Sequence, residues 1–129
     1  MEGADGHRLL YGDETFRIRR AVFKVHGTLG PGFLEAVYHE CLAIEFERQE
    51  VPFKAQEPLR LTYDGRWLKQ TYVADFVCYG GIIVELKAVR TIAPEHRAQT
   101  INYLRASGMR VGLLVNFGAG SAEIERFAL

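Results

Sequence analysis

Cysteine is scarce in this sequence: Cys41 and Cys78 stand alone, in apolar settings and without a paired C-x-x-C spacing. That spacing argues against a disulfide framework or a cysteine-built zinc site, so two buried thiols are expected. No apolar run approaches the ~18–20 residues of a membrane span. The opening Met-Glu-Gly-Ala-Asp-Gly also lacks the basic and apolar regions of a signal peptide. A cytoplasmic protein with no membrane partner is therefore expected. Neither sign of charge is in excess, since 16 Lys and Arg offset 16 Asp and Glu. That balance argues against a broadly basic nucleic-acid-binding surface and leaves room for a local one. Internal repeats, a Gly-rich phosphate loop, a serine nucleophile elbow and a metalloprotease histidine pair are all missing.

What remains is ordinary for a globular chain. With 129 residues, 48% apolar and 25% charged, the length suits one domain with an adequate core. Residues 1–12 read as an N-terminal tail and 13–129 as a single α/β domain. Asp13 can cap a first helix whose core stripe is Phe16, Ala21, Val22, Val25 and Leu29, ending at Gly27 to Gly30. His26 in its last turn reads as a packing or capping residue. Pro31 suits the first turn of a second helix, running to about Gln49 on a stripe of Leu34, Val37, Tyr38, Cys41 and Leu42. Glu35 sits at the edge of that stripe, four residues before His39. By spacing alone it is a carboxylate that complements the helix dipole.

Strands follow. One runs from about Phe53 to Tyr63; Asp64-Gly65 is a two-residue hairpin signal, and a long strand begins at Arg66. Continued without a bulge, this pairing places Leu59, Leu61 and Leu68 on one face with Phe76, and Arg60, Trp67 and Lys69 on the other with Asp75. Pro94 to Ser107 reads as a helix closed by Gly108. Arg110 to Phe117 reads as a buried strand, reached by a crossover and therefore parallel to its neighbour. Ser121 to Leu129 is a small edge element.

The most informative stretch is Thr71 to Val89, where Asp75, Glu85 and Lys87 interrupt two apolar strands flanking Gly80-Gly81. If Ala74, Phe76 and Cys78 share the core face with Ile82, Val84 and Leu86, then Cys78 faces Ile82 and Asp75 faces Glu85. That register needs an odd loop, most simply Tyr79-Gly80-Gly81 with a glycine at positive φ. Opposed carboxylates repel unless a cation lies between them, and this is how a hard-metal site is built.

Asp75, nine residues, Glu85-x-Lys87, then a helix bearing Gln99-x-x-x-Tyr103 resembles the PD-(D/E)xK nuclease superfamily, although Ala74 stands where the proline of that name would be. The segment Gly32-Phe-Leu-Glu35-Ala-Val-Tyr38 is similar to the signature of the GxxExxY protein family, a branch of that superfamily. The resemblance implies a mixed central β-sheet flanked by helices, a restriction-endonuclease-like core, and a metal-dependent nuclease.

It also implies roles. Asp75 and Glu85, with the Leu86 carbonyl, would bind Mg²⁺ or Mn²⁺. Lys87 would be a general base or a charge stabiliser, both roles open. Glu35 would orient a metal-bound water, and Gln99 would hold Lys87 or the phosphate backbone. Arg60, Trp67, Lys69 and Tyr103 are candidate substrate contacts, Tyr103 with packing as its other reading. The partner expected is nucleic acid, DNA first, with a homodimer supplying two sites for two strands. Two alternatives stand beside the nuclease: a catalytically silent nucleic-acid-binding module on the same fold, and a protein-interaction domain whose charges form a structural cluster.

Overall fold

Helix-period patterning builds the first layer. In the computed structural model, which describes residues 9–129, α1 (Gly12–Leu29) buries Ile18, Ala21, Val22 and Val25 on one stripe. The expected tail falls mostly on residues 1–8, outside the described residues. Tyr11, in the left-handed region, is the N-cap, and Asp13 lies in the first turn, so the expected aspartate cap is corrected. Thr15 instead satisfies Tyr11 O through its hydroxyl at 2.9 Å. Phe16 is exposed; Ile18 takes the core position it was expected to fill. His26 is buried, with Nε2 3.0 Å from Ala119 O, in keeping with a packing role.

The second helix, α2 (Glu35–Arg48), starts later than Pro31 suggested, with Leu34 as an extended N-cap. The preceding Gly30 and Gly32 have φ of 68° and 106°, a left-handed backbone that a helix cannot continue through. Leu34 is therefore exposed, and the buried stripe is Tyr38, Leu42 and Phe46. Tyr38 closes the loop behind it. Its hydroxyl donates to Gly30 O at 2.6 Å and accepts the Phe33 amide at 3.2 Å, while its ring stacks on Phe117 at 4.6 Å.

These helices cover one face of a five-stranded sheet in the order β1-β2-β3-β4-β5. Its strands are β1 (Phe53–Tyr63), β2 (Arg66–Cys78), β3 (Ile82–Lys87), β4 (Val111–Asn116) and β5 (Glu123–Ala128). All pairs are antiparallel except β3–β4, the parallel pair expected from the intervening α3 (Pro94–Ser107). Phe76, Cys78, Ile82, Val84 and Leu86 pack with α1 and α2. Val77 and Ile83 point to the opposite face, with Leu104 of α3. Burying a large apolar side chain is worth ~1.5–3 kcal/mol, so the strict alternation along β3 fixes its register from both sides.

That register is the one the hydrophobic pattern demands. Cys78 pairs with Ile82 and Phe76 with Val84, across a three-residue loop in which Tyr79 and Gly80 have φ of 55° and 69°. The β1–β2 pairing departs from a regular ladder. It shifts between Arg60 and Thr62, and Gln56 has φ 53°. Leu59 packs with Ala74 and Leu104 and not with Phe76, while Phe53, before Gln56, packs with Phe76, which corrects the unbulged extrapolation. Among the described residues no helix is long and apolar enough to cross a membrane.

Candidate functional site

Asp75 and Glu85 sit where β2 and β3 stop pairing; Phe76 and Val84 are the last partners in the ladder. One step beyond, each carboxylate bonds to backbone. Glu85 Oε2 accepts the Asp75 amide at 3.1 Å, and Asp75 Oδ2 accepts the Leu86 amide at 2.8 Å. The two side chains thereby replace ladder bonds that the diverging strands can no longer make. Such charge-assisted bonds to amides satisfy carboxylates without a cation.

Glu85 is 9% exposed. Burial, which disfavours its charge, pushes its pKa up to about 7; a Tyr72 hydroxyl and the Asp75 amide oppose the rise, and the Asp75 charge adds to it. Tyr72, drawn from β2, lies against this carboxylate, and burial first and Glu85 second hold its phenol protonated. Its hydroxyl is fully enclosed without a hydrogen bond of regular geometry, so its contact with Glu85 is close but poorly aligned. The Tyr72 ring stacks on Tyr103 of α3 with centroids 3.4 Å apart.

On the other side lies a cleft of ≈ 270 Å³ lined by Glu35, Ala36, His39, Gln56 and Asp75. Glu35 occupies the first turn of α2. Partial desolvation and then the Asp75 charge raise its pKa against the lowering influence of Lys87, His39 and His96. His39 stacks on Phe76 at 4.2 Å. Its Nε2 lies 3.1 Å from both Asp75 O and the Gln56 side-chain amide. Since a carbonyl only accepts, the proton belongs on Nε2, and Gln56 must then present its oxygen there. The histidine nitrogen facing the cleft is thus committed to backbone.

Lys87 ends β3, half-buried, with its carbonyl accepting the Phe117 amide at 2.9 Å. The loop after it is held by Asn116, fully buried at the end of β4. Asn116 exchanges two bonds with Val89, at 2.9 and 2.8 Å, and accepts the Gly118 amide at 3.0 Å. A Cβ at Gly118 would fall on the Val89 backbone, so only glycine permits this approach. Gln99 is exposed on α3, and no hydrogen bond joins it to Lys87. Arg60, Trp67 and Lys69 are exposed on the β1–β2 arm, with the Arg60 guanidinium 4.3 Å from the centre of the Trp67 ring.

The metal expected at Asp75, Glu85 and Leu86 does not fit this arrangement. Among the described residues no three His, Cys, Asp or Glu side chains form a group able to hold a metal ion. The bonding just described is the physical reason: Asp75 and Glu85 each commit an oxygen to a backbone amide, and the His39 nitrogen faces a carbonyl. The Mg²⁺ or Mn²⁺ cofactor, and with it the metal-dependent nuclease, are withdrawn. Four residues of the site had weak signals or none. His39 stood four residues from Glu35, and Tyr72 lay three before Asp75. Gln56 depends on a positive φ that nothing in the sequence announces, and Asn116 reads only as the end of an apolar strand.

Among curated proteins and among solved structures nothing matches the chain. A family model described as the PD-(D/E)XK nuclease superfamily matches residues 12–127, from the first turn of α1 to the penultimate residue of β5. With a mixed sheet flanked by helices and the acidic pair at the β2–β3 divergence, the chain belongs to the PD-(D/E)XK nuclease superfamily.

Proposed function

We infer that this protein is a nucleic-acid-binding module that keeps the superfamily fold without metal-dependent turnover. One observation carries the reading: the outer half of the β1–β2 hairpin is an exposed basic and aromatic arm. Of residues 60–71 only Leu61 is even partly buried. The arm holds Arg60, Arg66 and Lys69 against the single acid Asp64, on a chain whose net charge is zero. Local excess positive charge with exposed rings suits a phosphate backbone. The acidic pair meanwhile serves the core, as a clasp between β2 and β3.

Three finer points belong to this reading. The Gly32 to Tyr38 segment supports placement in the GxxExxY branch, and its Tyr38 has a structural use in closing the Gly30 loop. DNA is the partner of first choice, met in the cytoplasm. A homodimer would pair two arms, since a single small domain offers little other surface for grip; a monomeric mass by light scattering at high concentration removes that point.

The reading is tested by anisotropy with labelled DNA and RNA in chelator, across a range of salt. Binding should weaken steeply with salt. Lys69→Ala should lower affinity and flatten the slope by about one counterion's worth. An unchanged slope in Lys69→Ala, Arg60→Ala and Arg66→Ala proteins would make the arm plain solvated surface.

A further inference from the structure

The two faces of the arm are unequal. The pairing sets Thr62 opposite Trp67 and Arg60 opposite Thr71, with Lys69 in the irregular stretch between them. Arg60, two residues from Thr62 on β1, leans across to the Trp67 ring, 4.3 Å from its centre. Trp67 is 62% exposed. A ring this exposed is costly to keep in water, and a guanidinium on it holds it flat and adds a positive charge beside it.

We propose that this face is a stacking platform for unpaired bases of a single-stranded nucleic acid. The proposal rests on the nucleic-acid-binding reading above and adds strand state to it. In a duplex the base faces are hidden in the stack and only phosphates and groove edges are offered, so an indole gains little there. A single strand offers base faces, and stacking on an aromatic side chain is tolerant of sequence. The charge agrees. The Arg60 guanidinium lies 4.3 Å from the ring centre, so a base stacked on the indole would bring its own phosphate beside a cation.

Trp67 is the only tryptophan in the chain, so its emission reports on the platform directly. Oligothymidylate should quench it and bind at least about tenfold more tightly than a blunt duplex of equal length. Trp67→Ala should weaken oligothymidylate binding by roughly 5- to 150-fold, a clearly larger loss than the same variant shows for the duplex, and be largely rescued by Trp67→Phe. The exposure of Trp67 keeps these variants folded. Equal binding of both forms with unquenched emission would overturn the strand-state proposal and leave the binding reading standing. Equal binding of polyglutamate would overturn the proposal as well, by reducing the face to a charge patch. Absence of salt-dependent binding to either nucleic acid would remove the underlying reading itself.

Discussion

The Asp75 carboxylate accepts the Leu86 amide at 2.8 Å from the neighbouring strand, one residue past the Glu85 whose own carboxylate accepts the Asp75 amide. Two acids that the sequence places face to face are thus each held by a backbone amide of the neighbouring strand, Glu85 by that of Asp75 and Asp75 by that of Leu86. Their mutual repulsion is offset by amide dipoles and by partial protonation of Glu85.

The clasp should show in stability. Asp75→Ala leaves the Leu86 amide without its partner at the strand divergence, at a cost of about 1–3 kcal/mol. Asp75→Asn keeps an acceptor oxygen and should cost under ~1 kcal/mol. Urea midpoints at constant slope measure both. Equal losses would mean that the charge and not the hydrogen bond matters.

Stability should also fall as pH rises from about 4.5 toward 7. Glu85 is raised from an ordinary 4.5 to about 7, so through this window the folded state binds more protons than the unfolded one. Its favourable contribution is complete below the unfolded value and is lost as pH passes the folded value. Glu35, also raised, acts in the same direction. The loss is on the order of 2–3 kcal/mol. Glu85→Gln, which can still accept the Asp75 amide, should flatten that slope and be the more stable protein at pH 8. A parent protein equally stable at pH 5 and pH 8 would contradict the burial argument.

Tyr72→Phe tests the phenol separately. Tyr72 lowers the Glu85 pKa by presenting its hydroxyl to the carboxylate, so its removal should move the midpoint of the pH-dependent loss upward. The ring and its stack on Tyr103 remain. A midpoint that moves down, or stays, would show that the hydroxyl does not serve Glu85.

Asn116→Ala removes three bonds to backbone at once, those to both Val89 groups and to Gly118. The fully buried site leaves little room for repair, and a loss of about 3 kcal/mol is expected. Thermal unfolding should show it, with proteolysis in the loop after Lys87 as the local signature.

How much of this was legible depends on what each residue answers to. The β2–β3 register followed from Phe76, Cys78, Ile82, Val84 and Leu86, because slipping one residue would turn an apolar face to water. Pro94 and Gly108 bounded α3 for local steric reasons. The arm was harder, since the turn at Asp64-Gly65 sets only the outer pairs and no residue of the exposed stretch announces the shift near Leu61. Phe16 and Leu34 misled because periodicity reports a stripe and not its phase at a helix start. At the acidic site, spacing showed that Asp75 faces Glu85. It could not show whether the oxygens look outward to a cation or inward to amides, which turns on where the β2–β3 ladder ends.

Whether the Asp75–Glu85 pair is a structural clasp on a binding module is decided by a single experiment. Labelled single-stranded and duplex DNA are incubated with the purified protein in Mg²⁺, in Mn²⁺ and in chelator, reading binding by anisotropy and integrity by gel. Salt-sensitive binding of similar strength is expected in all three, with DNA that stays full length. Cleavage that needs the divalent ion and is lost in Lys87→Ala would contradict it.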